Sequence, residues 1–111
     1  MNNEISLRSS HLIIPAVLAN QVLSNSTSAY VAYKKELNSI LVSPKENDWF
    51  PKLHGSLEFI VKSKDLKGTK SIAIREILID NEIDDNDKTL NYDINVRKNF
   101  LKIELPNFKK V

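Results

Sequence analysis

Displaced by 60 positions, the chain repeats its own pattern of apolar residues. Leu12-Ile13-Ile14 falls on Ile72-Ala73-Ile74, Leu18 on Leu78, Leu23 on Ile83, and Ile40-Leu41 on Phe100-Leu101. Each copy reads as strand, strand, short amphipathic helix, polar loop and hairpin. Few residues are identical, so what recurs is a set of apolar positions rather than a chemical motif. Elements with one apolar face must bury it against another layer, and two such copies do so by sharing one interior. The repeat predicts a single domain over 1–111, mixed α/β but mostly β. Its pseudo-repeats are 5–44 and 57–105, joined by a connector at 45–56 and followed by a tail at 106–111. The competing architecture is an α+β domain without duplication.

Within the first copy, Ile5, Leu7 and then Leu12 to Ile14 predict two short strands separated by Arg8-Ser9-Ser10-His11. Pro15 suits a helix start, where a missing N–H leaves no bond unmade. Val17, Leu18, Gln21 and Val22 then form the expected helical stripe, ended by Asn25-Ser26-Thr27-Ser28. Tyr30 to Tyr33 and Ser39 to Val42 flank a polar turn and predict a hairpin. The connector holds Trp49, the sole tryptophan. Its spacing to Phe50 and Leu53 suggests a helical turn pinned to the core by all three.

The second copy opens with Leu57, Phe59 and Val61 alternating against Glu58, Ile60 and Lys62, a strand with one mostly buried face. Ile77, Leu78 and Ile83 make the second helical stripe. Leu90, Tyr92, Ile94 and Val96 alternate with polar residues, which predicts a strand with one wet face, turning at Lys98-Asn99. Tyr30, Tyr33 and Tyr92 alternate with apolar neighbours and are expected to pack rather than to stack on bases. The tail after Pro106 is expected to be loose, with Lys109 and Lys110 solvated.

Several functions are excluded by composition. With no cysteine there is no disulfide, thiolate nucleophile or cysteine-based zinc site, and two glycines are too few for a phosphate-binding Gly-rich loop. His11 and His54 stand in separate segments without a partner at ligand spacing, and no Gly-x-Ser-x-Gly setting occurs. Asp85-Asn86-Asp87 lacks the glycine and terminal glutamate of a calcium loop. The chain is therefore predicted not to be an enzyme, and no cofactor, metal or small-molecule substrate is implied. The longest apolar run, Leu12 to Ala19, is far below the about 20 residues of a membrane span. Glu4 and Pro15 argue against reading it as a signal peptide, so no membrane partner and a cytoplasmic location are expected.

The net charge is only +2, but its distribution is uneven. Five acids occupy the eight positions from Asp80 to Asp87. Lys62, Lys64, Lys67, Lys70 and Arg75 gather around one loop and the helix start after it, and Arg8 and His11 hold the matching place in the first copy. Phosphate contacts need long cations on a shared face, and Gly68 lets backbone approach a duplex. These eight residues are the candidate DNA-binding set.

Leu12-Ile13-Ile14-Pro15-Ala16-Val17-Leu18, Ser39 to Pro44 running on to Asp48-Trp49, and Asp65-Leu66-Lys67-Gly68-Thr69-Lys70 together resemble the MraZ branch of the AbrB-like swapped-hairpin proteins. Ile83-Asp84-Asp85-Asn86-Asp87-Lys88 is similar to that family's Gly-Asp turn before a hairpin. The resemblance covers roughly residues 5–105. It implies a swapped-hairpin barrel in which each half lends its hairpin to the other, a homo-oligomeric ring, and transcriptional regulation through double-stranded promoter DNA at the nucleoid. The family's Asp-x-x-Gly-Arg signature has one extra residue and Lys for Arg in the second copy. In the first copy Leu7 to His11 keep none of it, and His11 stands where the family's phosphate-contacting arginine would be. The alternative function is an assembly or protein-interaction module that keeps the barrel and has lost the DNA contacts.

Overall fold

A computed structural model describes residues 4–24 and 26–106. Asn25 and the tail residues 107–111, both predicted as loop, lie outside the described residues. Among the described residues nine strands form one sheet: β1 (Ile5–Arg8), β2 (His11–Ile14), β3 (Ser28–Lys34), β4 (Ser39–Pro44), β5 (Leu57–Ile60), β6 (Lys62–Ser63), β7 (Lys70–Ala73), β8 (Lys88–Asn95) and β9 (Phe100–Glu104). Three α-helices accompany them, α1 (Ala16–Leu18), α2 (Trp49–His54) and α3 (Arg75–Asp80), with a π-helical segment at Ala19–Leu23 and a 3-10 turn at Lys35–Leu37. With 43% of the described residues in strands against 23% in helices, the fold is mostly β.

The strand order is β5-β3-β4-β9-β8-β1-β2-β7-β6. Its two ends, β5 and β6, are consecutive in the chain and separated only by Val61, so the sheet curls into a nearly closed barrel. Val61 donates its N–H to the Thr27 carbonyl at 2.9 Å, holding the bend where the chain passes from one end of the sheet to the other. Every neighbouring pair is antiparallel. Four pairings, β1–β8, β2–β7, β3–β5 and β4–β9, cross from one half of the chain to the other within the sheet. Strand β2 meets β7 with Leu12 opposite Ile72, and β4 meets β9 with Ile40 opposite Ile103.

The interior is built from alternate residues of nearly every strand. Ile5, Leu7, Leu12, Ile14, Ile40, Val42, Ile72, Leu101 and Ile103 are almost wholly buried there, together with Leu18, Leu23 and Leu78 from the helical segments. Each such side chain contributes about 1.5–3 kcal/mol through removal from water.

The hairpin positions correct the sequence displacement by one residue. Ile40 points into the barrel, but Phe100, aligned with it at 60, packs on the outside against Phe50. The inward residues of β9 are Leu101 and Ile103.

Around the first helix the predicted stripe also moves. Leu18, Ala19, Val22 and Leu23 are buried, whereas Val17 is 57% exposed and Gln21 faces solvent. The cause is a wide turn: α1 runs directly into a π-helical segment, Ala19–Leu23, closed by Ser24 N–H donating to the Ala19 carbonyl at 2.8 Å. That five-residue span rotates the buried face away from an ideal helical period.

The connector packs on the barrel's outer wall. Phe50 is fully buried against Ala32 and Leu41, with Tyr30, Trp49 and Phe100 around it. This second cluster explains why all six residues of β4 are buried: Ile40 and Val42 face inward, while Leu41 lies under α2. Leu53, expected to share the anchoring, is instead 62% exposed. The helix is only six residues long and ends at Gly55 in the left-handed region (φ 57°), so one turn faces the sheet and Leu53 falls beside it.

Two further expectations are corrected at strand ends. Leu57 lies 58% exposed at the open end of β5, where only Phe59 and Val61 of the alternating set turn inward. Val96 is 74% exposed because β8 ends at Asn95 and the turn begins there. The tyrosines pack as expected, Tyr33 and Tyr92 on the interior cluster and Tyr30 on the outer one. Among the described residues no helix is long and apolar enough to cross a membrane.

Candidate nucleic-acid interface

The candidate residues lie on or beside two strand connections at opposite ends of the β2–β7 pair. In the first, Ser9 and Ser10 both take positive φ (50° and 64°), which makes a tight two-residue turn of the kind that matches strand twist. Neither residue is glycine, so the turn is held by contacts from outside. Ser9 N–H donates to Asp87 Oδ1 at 2.9 Å, and the Ser10 carbonyl accepts Ile74 N–H at 3.0 Å. His11 Nδ1 lies 2.8 Å from the Ser9 carbonyl, and since a carbonyl only accepts, that nitrogen carries the proton.

The second connection, between β6 and β7, is longer and is organised by its own aspartate. Asp65 Oδ1 accepts the N–H groups of Lys67 at 2.9 Å and Thr69 at 3.2 Å. Loss of water around the carboxyl would by itself raise its pKa. The Thr69 and Lys67 backbone N–H groups, helped by the Lys67 charge, outweigh it and hold the carboxyl below its ordinary value of 3.8. Lys64 N–H closes the loop on the Thr69 carbonyl at 2.8 Å. Gly68 has φ 102°, and a Cβ there would stand 3.3 Å from Ala16 Cβ. Only glycine lets this loop lie against the start of α1. Leu66, at the tip, is fully exposed.

The β2–β7 register determines how the two connections relate. His11 stands opposite Ala73, next to α3, and Ile14 stands opposite Lys70, next to the long loop. The pair is four residues long, so about 10 Å of strand separates its ends. Arg75 opens α3 just beyond Ala73. Lys62 is opposite Ser71 on the far side of β7, and Lys70 donates from Nζ to Ser63 Oγ at 3.1 Å. Arg8, His11, Lys62, Lys64, Lys67 and Arg75 are exposed, while Gly68 and Lys70 are partly buried.

Acidic neighbours modify this array. Arg8 lies 4.0 Å from Asp87, both side chains about half exposed, so the pair contributes little to stability but sets a carboxylate beside one cation. Asp84 is held below its ordinary value by its hydrogen bond with Lys88, whose Nζ is 2.8 Å away. The acidic segment thus reaches the first turn but not the Lys64–Lys70 loop in any ion pair among the described residues. Sequence reasoning missed Asp87 as the anchor of that turn, 78 positions away, and no local signal marks it.

It missed a groove as well. About 630 Å³ opens beside β7, lined by His11, Lys62, Ser71, Glu76 and the exposed Leu57 and Ile60. Glu76 brings a negative charge among the cations there. Among the described residues no cluster of His, Cys, Asp and Glu could hold a metal ion. Comparisons with protein-family models, curated proteins and solved structures return no match.

Proposed function

We propose that this protein is a DNA-binding regulator of the MraZ/AbrB type, and that its barrel consists of two pseudo-repeats with exchanged hairpins. The strand pairing supports the exchange. The β8–β9 hairpin of the second half pairs with β1 of the first, and the β3–β4 hairpin of the first half pairs with β5 of the second. Corresponding hairpin pairs, such as Tyr33 with Ile40 and Ile94 with Leu101, match at a displacement of 61, one more than in β2 and β7. The extra residue is absorbed in the acidic loop before β8.

The observation that carries the functional reading is the β2–β7 register. It sets both turns along one pair of strands, so Arg8, His11, Lys62, Lys64, Lys67, Lys70 and Arg75 can meet one duplex together. The self-capped Asp65 loop presents the lysines on an ordered backbone, and Gly68 keeps that loop close to α1. Neutralising four to six phosphates implies a log–log salt slope of about −4 to −5. Titrating random duplex at low and moderate salt tests it; affinity that is missing at low salt, or does not respond to salt, overturns the reading.

A second reading, an interaction module without DNA contacts, draws support from Asp87 beside Arg8. In that case assembly in light scattering persists with no affinity for duplex.

A further inference from the structure

On the side of the barrel away from β2 and β7, α2 and the β8–β9 turn enclose a groove of about 670 Å³. Its charged lining is Lys52, Arg97 and Lys98, with no carboxylate. Four other grooves differ in this respect: they are lined by Glu82 and Asp84, by Glu58 and Glu76, by Glu46, or by Glu4, Asp93 and Glu104. None of the three cations makes a salt bridge among the described residues. The apolar lining is Trp49, half-buried, and Leu53, which is 62% exposed.

The groove is preformed. Asn47 Nδ2 lies 3.2 Å from the Lys98 carbonyl and 3.0 Å from that of Asn99, and Asn95 Oδ1 accepts Lys98 N–H at 2.9 Å. These bonds tie the turn to the connector. Trp49 is fixed edge-to-face against Phe50 and Phe100, at 5.5 and 6.1 Å between centroids. Rigid aromatic surface beside an arginine is the composition that concentrates binding energy at protein interfaces.

We propose that this groove docks an acidic segment of a partner protein that carries an apolar side chain. The carboxylates meet Arg97, Lys98 and Lys52, of which the guanidinium offers two parallel donors, and the apolar side chain seats on Trp49 and Leu53. An apolar side chain fits better than a base, because Leu53 beside Trp49 offers it exposed aliphatic surface and the ring edge, while Lys98 Nζ, 5.9 Å over the Trp49 ring, covers a face that a base would stack on. The inference stands apart from the DNA reading, since β4 and β9 under this site lie across the sheet order from β2 and β7.

Trp49 is the only tryptophan, so its emission reports on this groove alone. The probe is a synthetic tryptophan-free peptide with aspartates and glutamates around a leucine–phenylalanine pair. Its control carries asparagine and glutamine instead of the acids. The acidic peptide is expected to shift Trp49 emission saturably, with a Kd on the order of 10–100 μM that weakens with salt. An Arg97→Glu, Lys98→Glu variant should bind at least about tenfold more weakly. Lys52→Glu, on the helix instead of the turn, gives an independent second arm. Lys67→Glu with Lys70→Glu should leave the response unchanged. The proposal is overturned if Trp49 does not respond at millimolar peptide, or if the neutral control acts equally. It is also overturned if duplex DNA produces the shift instead, or if the groove variants abolish self-association and the peptide has no effect.

Discussion

Strand β1 pairs with β8 through Ile5 to Leu7 and with β2 through Ser6 to Arg8, so Ser6 and Leu7 are paired on both sides. Residues 57–63 instead make their two pairings through separate strands. There β5 pairs with β3, β6 pairs with β7, and Val61 forms the bend between them. The β6–β7 ladder stops at Lys62 opposite Ser71, and Ile60 beyond it is 66% exposed beside an open groove. The turns that follow differ in the same sense. Two serines close the first, whereas the second spends six residues between Ser63 and Lys70 and stabilises them with its own aspartate. One place in the barrel is thus built for closure and the other for display, and the displayed loop carries the lysines.

If the halves are equivalent at their shared strands, Leu12→Ala and Ile72→Ala should cost alike. Both residues are fully buried and face each other, so each change should lower stability by about 2–5 kcal/mol in urea unfolding. A near-silent change at either position breaks the comparison. The turns should respond with opposite signs. Gly68→Ala forces a Cβ into the left-handed region against Ala16 and should destabilise by about 1–2 kcal/mol. Ser10→Gly relieves a positive φ and should stabilise by about 0.5–1 kcal/mol in the same assay.

The caps give a smaller contrast. Asp65→Ala leaves two N–H groups without their acceptor and should lower the urea midpoint, while Asp87→Ala removes one such bond and should lower it less. The second change also frees Arg8, so duplex affinity should rise, measured by gel shift. The smallest effect is in pH. Asp65 titrates below 3.8 in the folded chain, so its contribution is complete above the unfolded value and fades as pH falls through the folded one. The stability gap between wild type and Asp65→Ala should therefore narrow below about pH 4.

Much of the architecture was legible because apolar spacing is a direct record of burial. The alternation in β8 and the strand at Leu12 to Ile14 needed nothing beyond a period of two. What escaped depended on contacts distant in sequence or on local winding. The π turn after Leu18 shifted a stripe by one residue, Ile40 shares its inward direction with Leu101 instead of Phe100, and Leu53 lost its place because α2 is only six residues long. For the candidate site, the lysine loop could be read locally through Asp65 and Gly68. The hold of Asp87 on Ser9 and the meeting of Lys52 with Arg97 and Lys98 exist only once the sheet has curled.

The central claim is that phosphates are held along β2 and β7, chiefly by the long loop. The slope of log affinity for random duplex against log salt tests it most directly, compared among wild type, Lys67→Ala with Lys70→Ala, and Arg8→Ala. Loss of two phosphate contacts should make the slope shallower by about 2 in the double variant, with a change well under about 1 for Arg8→Ala. An unchanged slope in the double variant, or a larger change at Arg8, would contradict the account.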